Sequence, residues 1–362
     1  MENKSKGKAV ERIDALLDER SFVEIGQAVT ARSTDFQLDK VETPSDGVVT
    51  GYGLINGCPV YVYSQDAKVL GGSIGEMHAR KIVNLYDLAI KTGVPVIGMI
   101  DCAGIRLQES TDALHAFGMI YKKQAEASGV ILQISAIFGN CGGGLSVFPT
   151  LTDFTLMEEN GQLFVNAPNA IEGNRKEVLN SASAVFQSKE AGTADFVGNE
   201  TEIFEEIRKL TQIFPSNYKD QSKAADCVDD LNRICENISA GDGKEVLVQI
   251  ADQNEFVELK KDYGNDIAIG FIRLDGETIG CVANKEERIS AQGAKKAASF
   301  VKLCDAFGVG ILTITDTVGF AAEIEQEKEL SQAIGAMTGA FVQATVPKVN
   351  VISKKAFGSA YV

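Results

Sequence analysis

The sequence has few of the residues that build a metal site or a disulfide framework. It contains no tryptophan, only two histidines and seven scattered cysteines, none of them in a C-x-x-C pair. With His78 and His115 alone, a histidine-based zinc site would be hard to assemble, and we predict no metal. An odd number of unpaired cysteines predicts free thiols in the reducing cytoplasm.

Long apolar runs and a surplus of positive charge are also missing. The first residues lack the apolar stretch of a signal peptide, and no run approaches the length that spans a bilayer. We therefore expect a cytoplasmic protein without a direct membrane span. The net charge of −15 opposes binding to a nucleic-acid backbone. A nucleotide-sized anion is still compatible, because local cations such as Arg80, Lys81 and Arg106 could hold it.

What the chain does contain is an alternation of strand and helix patterns. Continuous apolar runs separated by amphipathic segments predict an α/β fold with a parallel sheet covered on both faces. Asn56-Gly57 and Asp275-Gly276 stand between β-rich runs and predict hairpin turns. The predicted helices are 9–19, 75–91, 112–127, 200–213 and 293–306. The predicted strands are 48–55, 59–64, 94–100, 130–138, 153–157, 266–273, 279–284 and 309–315.

The second half of the chain repeats the first. Aligning 94–101 with 309–316 places Asp101 against Asp316, an offset of 215 that also pairs Gly104 with Gly319. The same gap-free offset aligns 132–137 with 347–352 and 143–145 with 358–360. One register across two strands and a helix predicts an internal duplication. The second copy stops at Val362, so we expect it to be cut short or completed by another chain.

A run of glycines follows the predicted strand 130–138. Glycine lacks a Cβ, so successive N–H groups at Gly143 and Gly144 could point at one oxygen and stabilise its charge. A tight turn without a ligand fits the same residues. The segment 139–143 also has the G-x-C-x-G pattern of a cysteine nucleophile elbow, but both histidines precede Cys141, which disfavours a hydrolase. We interpret Cys141 as structural.

Two further segments could meet an anion. The glycine turn 71–75 opens the helix that carries Arg80, although it lacks the residues of a phosphate loop, and a plain loop is the alternative. Arg106 lies just beyond a predicted strand end, where open α/β sheets bind ligands. It could clamp a phosphate or carboxylate, or it could form an ion pair with Glu109.

Together these motifs resemble the biotin-dependent acyl-CoA carboxyltransferases, which include propionyl-CoA carboxylase β subunits and methylmalonyl-CoA or glutaconyl-CoA decarboxylase α subunits. The resemblance runs from Glu11 to Val362. The segments that carry it are 49–53, 71–78, 107–109, 143–144, 151–154, 300–307, 316–320 and 344–348.

The resemblance implies two tandem crotonase-like domains, the second one truncated. The implied organisation is an N-terminal helix and link (1–46), an acyl-CoA-side domain (47–215), a connector (216–245) and an incomplete biotin-side domain (246–362). Catalysis would use backbone N–H groups, at Gly143 and Gly144 for the thioester enolate oxygen and near Gly358, Ser359 and Ala360 for the biotin ureido oxygen. The remaining cofactor-binding positions are Gly71, Gly72, Arg80, Gly104, Arg106, Gly319 and Phe320.

The implied reaction moves a carboxyl group between carboxybiotin and the α-carbon of a short acyl-CoA, in the direction of a carboxylase or a decarboxylase. Biotin would arrive on a separate carrier. The implied partners are a biotin carboxyl carrier protein and either a biotin carboxylase or membrane decarboxylase subunits. The facing halves of a site come from different subunits in this family, so a dimer-based homo-oligomer, up to a hexamer, is expected. The alternative is a non-catalytic acyl-CoA-binding or assembly subunit, which the acidic run 323–329 favours.

Overall fold

The computed structural model describes residues 7–34, 36–220, 224–236 and 238–362. Its helices are α1 (Lys8–Leu16), α2 (Glu76–Thr92), α3 (Ser110–Ala127), α4 (Val147–Thr150), α5 (Ala184–Lys189), α6 (Glu200–Ile213), α7 (Gly243–Ile250), α8 (Ala291–Ala306), α9 (Ile324–Gln343) and α10 (Gly358–Tyr361). Its strands are β1 (Val23–Ile25), β2 (Val48–Ile55), β3 (Cys58–Gln65), β4 (Val96–Cys102), β5 (Gln133–Gly142), β6 (Phe154–Glu158), β7 (Gln162–Phe164), β8 (Phe196–Gly198), β9 (Val257–Leu259), β10 (Ile267–Leu274), β11 (Glu277–Asn284), β12 (Arg288–Ile289), β13 (Ile311–Thr317), β14 (Gly319–Phe320) and β15 (Lys348–Ala356).

The chain divides into two compact units. The first comprises Met1–Gln187 and Phe196–Gln212, and the second comprises Ser188–Asp195 and Ile213–Val362. The predicted link within 1–46 contributes β1, which pairs with β2 in the sheet of the first unit. The predicted connector 216–245 includes 221–223 and 237, which lie outside the described residues, and α7 begins within it at Gly243.

The first unit is built on a mixed sheet in the order β1-β2-β3-β4-β5-β6-β8, with β7 pairing with β5. The strand β2 is antiparallel to both of its neighbours, β1 and β3, and the strands from β3 to β8 are parallel. The strand β4 and residues 133–138 of β5 are mostly apolar and buried, as expected for parallel strands covered on both faces. The predicted α/β alternation is confirmed here.

The predicted hairpin at Asn56-Gly57 is also confirmed. Both residues have positive φ, 49° and 79°, as the tightest hairpin turns require. The carboxylate of Asp18, just after α1, accepts hydrogen bonds from the N–H groups of Asn56 (2.9 Å) and Gly57 (2.8 Å). A side chain outside the hairpin therefore holds its turn.

The second unit contains a five-stranded sheet in the order β15-β13-β11-β10-β9, and a separate parallel pair of β12 and β14. Its core includes buried residues of α7, β10, β11 and β13. Asp252, just after α7, accepts hydrogen bonds from the N–H groups of Asp275 (3.2 Å) and Gly276 (2.7 Å), the turn between β10 and β11. The strand β15 lies at the edge of this sheet, and Val349, 59% exposed, lies on it.

No helix among the described residues is long and apolar enough to cross a membrane.

His78 generates a prediction about pH. Its ring is fully buried on α2, with Nδ1 3.0 Å from the carbonyl oxygen of Asp46 and Nε2 3.2 Å from Nε2 of Gln65. Burial lowers the pKa of His78 to about 3. Below the unfolded-state pKa of about 6.5, the unfolded chain therefore binds a proton that the folded chain does not, so stability falls as the pH falls.

We expect the free energy of unfolding, measured by urea titration, to fall by up to about 1.4 kcal/mol per pH unit below pH 6.5 because of His78 alone. The variant His78→Gln should reduce this slope. His115, exposed on α3, is the control, and His115→Gln should leave the slope unchanged. An equal slope in wild type and His78→Gln would contradict the prediction.

Candidate active site

The glycine run predicted as a donor turn follows directly after β5. The chain enters a short 3₁₀ turn, Gly143–Ser146, which leads into α4. Gly143 has φ of +63°, a left-handed conformation that a side chain would strain. The first N–H groups of such a turn have no acceptor within it. Among the backbone hydrogen bonds of the described residues outside the regular ladders, none uses the N–H of Gly143 or Gly144. These two N–H groups are therefore candidate donors to a ligand oxygen.

These donors open onto a cleft of about 790 Å³ in the first unit. Its walls are mostly apolar and come from the loop after β4, from α3, and from the ends of β5 and β7. The lining residues are Cys102, Ala103, Gly104, Ile105, Leu114, Phe117, Gly118, Tyr121, Asn140, Gly142, Gly143, Gly144 and Phe164. The site can therefore hold an apolar group whose oxygen meets backbone donors.

Gly104 lies in the loop that forms one wall of this cleft. Its carbonyl accepts a hydrogen bond from the N–H of Ile74 (2.9 Å), and the N–H of Ala103 donates to the carbonyl of Gly71 (2.8 Å). Gly71 and Gly104 are thus brought together beside the cleft. Gly72 has a packing role, because a Cβ there would clash with the carbonyl oxygen of Asp101.

Arg106 does not face the cleft, and the prediction that it clamps a ligand anion is wrong. Its guanidinium is fully buried and forms ion pairs with Asp46 (2.6 Å) and Glu109 (2.9 Å). It also donates to the carbonyl of Ser73 (2.7 Å). The pairing with Glu109 that the sequence left open is the one observed, and Asp46 extends it to a buried ion triad of Asp46, Arg106 and Glu109.

Arg80 lies on the exposed side of α2 and does not line the cleft. Its guanidinium forms an ion pair with Glu76 (2.7 Å), in the first turn of the same helix. Because its side chain is 60% exposed, it can still exchange this partner for an anionic ligand.

Cys141 is buried inside the first unit. Burial raises its pKa well above the ordinary range, and its Sγ lies 3.5 Å from the carbonyl oxygen of Leu145. A thiol that stays protonated and buried is not a nucleophile. The structural interpretation of Cys141 is the one that the structure supports.

In the second unit, Gly358 begins α10 with φ of +60°. Ser359, Ala360 and Phe320 line a cavity of about 290 Å³. Gly319 precedes Phe320 in β14, and its N–H lies 3.3 Å from Oγ1 of Thr317. The structure thus gathers Phe320, Ser359 and Ala360 around one cavity, with Gly358 and Gly319 adjacent to its lining residues in sequence.

The three aromatic residues that line the first site are not predicted from the sequence. Tyr121 and Phe117 line the cleft from α3, and Phe164 lines it from β7. The spacing of Phe117 and Tyr121, four residues apart, was the available signal, since it places both on one helix face. No local sequence pattern predicts that this face of α3 packs against the glycine turn.

A mixed α/β protein with backbone donors at the mouth of an apolar cleft is equipped to stabilise an oxyanion. The chain belongs to the carboxyl transferase domain family, which residues 2–362 match. It is 38% identical over 373 residues to the propionyl-CoA carboxylase beta chain of Roseobacter denitrificans, covering 98% of this chain and 73% of that one. The predicted family is confirmed, and the chain is a carboxyltransferase.

Two other relatives are named for opposite directions of the reaction, decarboxylation and carboxylation. The methylmalonyl-CoA decarboxylase subunit alpha of Propionigenium modestum is 37% identical, with 98% of this chain and 72% of the relative covered. A biotin-dependent acetyl-/propionyl-coenzyme A carboxylase beta5 subunit of Mycobacterium tuberculosis is 38% identical, with 99% and 70% covered. The family is therefore biotin-dependent and acts on acyl-CoA.

Among solved structures, the chain is similar to a transcarboxylase 12S hexamer with methylmalonyl-coenzyme A and methylmalonic acid bound. The TM-score is 0.92 at 32% identity, and the match covers 98% of this chain and 72% of that one. The mixed α/β fold is thus the fold of a known carboxyltransferase.

The buried ion triad can be tested by removing its cation. In Arg106→Met, two buried carboxylates would lose their partner, so we expect a loss of about 3–5 kcal/mol in the free energy of unfolding, measured by urea titration. The double variant Arg106→Met/Glu109→Met should lose less, because fewer unpaired charges remain.

Arg80→Met is the matched control. It breaks an exposed ion pair on the same unit, and should change stability by less than about 1 kcal/mol. The assignment of a structural role to Arg106 would be contradicted if Arg106→Met kept wild-type stability and lost only affinity for acyl-CoA.

Proposed function

We propose that this chain transfers a carboxyl group between carboxybiotin and the α-carbon of a short acyl-CoA. The main support for this proposal is the position of Gly143 and Gly144, whose adjacent N–H groups lie on the wall of an apolar cleft. A thioester oxygen placed there would meet both donors. Space is available, since a Cβ built on Gly143 would have no atom within 4 Å.

The chain's part in the reaction is electrostatic. Before the carboxyl group joins the α-carbon, the α-carbon loses a proton, and after the carboxyl group leaves, the α-carbon gains one. In both directions negative charge develops on the thioester oxygen, where the N–H groups of Gly143 and Gly144 would stabilise it. One such donor is typically worth about 3 kcal/mol of transition-state stabilisation. The apolar walls keep water away and strengthen these interactions. Carboxybiotin supplies or accepts the carboxyl group and is carried on a separate protein or domain.

We also propose that the two units arose by duplication and that each is crotonase-like. The bounds of β4 and β13 differ by 215 positions. The starts of α2 and α8 differ by the same number, and so do the starts of the turns at Gly143 and Gly358. Both turns start with left-handed φ, +63° and +60°. Asp18 and Asp252 accept hydrogen bonds from equivalent hairpin turns.

A pair of buried lysines supports the same duplication. Lys81 on α2 and Lys296 on α8 are 215 positions apart. Each donates to backbone carbonyls of its own unit, Lys81 to Ser45 (3.0 Å) and Lys296 to Tyr263 (2.7 Å). Burial lowers the pKa of each to about 8. A repeated buried cation is a costly feature that independent origin would rarely reproduce.

The domain roles follow from this proposal. Residues 47–215 would form the acyl-CoA side, with Gly71, Gly72 and Gly104 shaping the cleft and Arg80 meeting a phosphate. Residues 246–362 would form the biotin side, where N–H groups at Gly358, Ser359 and Ala360 hold the ureido oxygen next to Gly319 and Phe320. The cavity of about 290 Å³ lined by Ser359, Ala360 and Phe320 supports this assignment.

We further infer a cytoplasmic homo-oligomer built from dimers, in which another subunit supplies the opposing half of each site. The hexameric transcarboxylase relative supports an oligomer. The partners would be a biotin carboxyl carrier protein together with a biotin carboxylase or membrane decarboxylase subunits.

The acidic start of α9 favours one alternative, a non-catalytic acyl-CoA-binding or assembly subunit. Ile324 is 81% exposed at its first position, and Glu325 forms only a local pair with Lys328 (2.6 Å). A solvated, charged helix of this kind is typical of a surface rather than of a ligand pocket.

A direct assay separates the two functions. Purified protein is mixed with methylmalonyl-CoA and free biotin, and the loss of the carboxyl group is followed by chromatography of the CoA esters, while propionyl-CoA binding is measured by calorimetry. We expect both decarboxylation and binding. Binding of propionyl-CoA without any decarboxylation of methylmalonyl-CoA would support the non-catalytic alternative and contradict the enzymatic proposal.

The proposed phosphate contact of Arg80 can be tested separately. Arg80→Met should raise the Kd for propionyl-CoA about fivefold, corresponding to about 1 kcal/mol, and the effect should shrink as salt is added. Lys122, which forms a similar exposed i,i+4 pair with Glu126 (3.7 Å) on α3, is the control. Equal Kd values for propionyl-CoA in Arg80→Met, Lys122→Met and wild type would show that Arg80 does not contact the ligand.

A further inference from the structure

The proposed donor turn contains a physical conflict. An oxyanion site works when its donors are fixed before the reaction begins. Glycine, however, is the most flexible residue of all. The glycines that leave the N–H groups accessible therefore need some other restraint, and the structure shows where it comes from.

Two hydroxyl groups donate to consecutive carbonyls of the turn. Oγ of Ser146 donates to the carbonyl oxygen of Gly143 (2.7 Å), and the phenol of Tyr121 donates to the carbonyl oxygen of Gly144. These two carbonyls belong to the peptide groups on either side of the Gly144 Cα. With both flanking peptides held, rotation about the two backbone bonds of Gly144 is restricted.

The Ser146 hydrogen bond has a second effect. The carbonyl of Gly143 and the N–H of Gly144 belong to the same peptide group. When the carbonyl accepts a hydrogen bond, the N–H becomes a stronger donor, because hydrogen bonds in a chain polarise one another. Ser146 thus acts on the N–H that is proposed to meet the thioester oxygen.

Both hydroxyl groups are themselves well placed. Ser146 is 6% exposed, so little water competes for its bond. The ring of Tyr121 packs edge-on against Phe148, with centroids 5.4 Å apart, and also contacts Phe117. Burial raises the pKa of Tyr121, so the phenol remains a donor at neutral pH.

The second unit has no equivalent pair. Positions 215 residues further on are Ala336, which has no hydroxyl, and Tyr361. The pair of hydroxyl groups that restrains the turn at Gly143 is therefore not repeated at the equivalent positions of the second unit.

We propose that Ser146 and Tyr121 are positioning residues for the carboxyltransferase reaction. Both restrain the peptide groups that flank Gly144, and Ser146 also polarises the N–H of Gly144. This inference rests on the proposed function for its kinetic test. It goes beyond that function by assigning side chains to a site otherwise made of backbone.

Two readouts test it, one of them independent of catalysis. The first is the infrared stretching band of the thioester carbonyl in bound propionyl-CoA, labelled with ¹³C at that carbon. A hydrogen-bonded carbonyl absorbs at lower frequency, so the shift from the free ligand reports the strength of the donors. The second readout is kcat and KM for the decarboxylation of methylmalonyl-CoA with free biotin.

We expect Ser146→Ala and Tyr121→Phe each to reduce the infrared shift and to lower kcat about fivefold to tenfold, with KM changed less than twofold. The effect should appear in kcat because the restrained donors matter most when charge develops. Ser146→Thr keeps the hydroxyl and should restore most of both signals, which a general loss of folding would not allow.

Thr150→Val is the matched control. Oγ1 of Thr150 donates to the carbonyl of Val147 (2.9 Å), the same kind of bond on α4 away from the donor peptides. It should leave both readouts unchanged. A double variant Ser146→Ala/Tyr121→Phe with wild-type band position and kcat would overturn the proposal.

The two proposals fail in different ways. A wild-type protein that shifts the carbonyl band without decarboxylating methylmalonyl-CoA would refute the enzymatic function, while the band in the variants would still decide the role of the hydroxyls. A wild-type protein that binds propionyl-CoA with an unshifted band would overturn the positioning role itself.

Discussion

A backbone N–H can stabilise a developing anion only if no other group in the protein accepts from it and if it does not move. The rest of the first unit follows from this constraint. The glycine run lies at the end of β5 in the parallel sheet. Because glycine has no side chain, the backbone there is not covered. The left-handed Gly143 begins the turn that leads into α4. Apolar walls then make those donors stronger than they would be in water.

A buried ion triad stabilises the segments around the cleft although none of its members lines the cleft. Arg106, Asp46 and Glu109 form a triad behind the cleft, and Arg106 also donates to the carbonyl of Ser73. The N–H of Glu76 at the start of α2 donates to Glu109 (2.6 Å). One cation thus ties the loop after β4 to the turn that begins α2. Such a triad is costly to break, since each member would leave another buried and unpaired.

Sequence reasoning was strongest where the signal is local. The hairpin at Asn56-Gly57, the strands β4 and β5 and the turn at Gly143 are all predictable from neighbours in the chain, and the structure contains them. The surroundings of a charged side chain are not predictable from neighbours in the chain. The position of Arg106 after a strand end is compatible with a ligand clamp and with an ion pair to Glu109. Only the fold shows that Asp46, 60 positions earlier, also pairs with Arg106 and that its guanidinium is buried.

The sequence alone determined the α/β alternation, the family and the glycine turn at Gly143. These depend on apolar periodicity, on a specific set of motifs and on the missing Cβ of glycine, all of which are local. Only the tertiary structure decided which groups surround that turn. Tyr121 reaches the carbonyl of Gly144 across 23 positions, and Phe164 closes the cleft from a separate strand. No spacing rule contains such contacts, because they arise from the packing of elements that are distant in the chain.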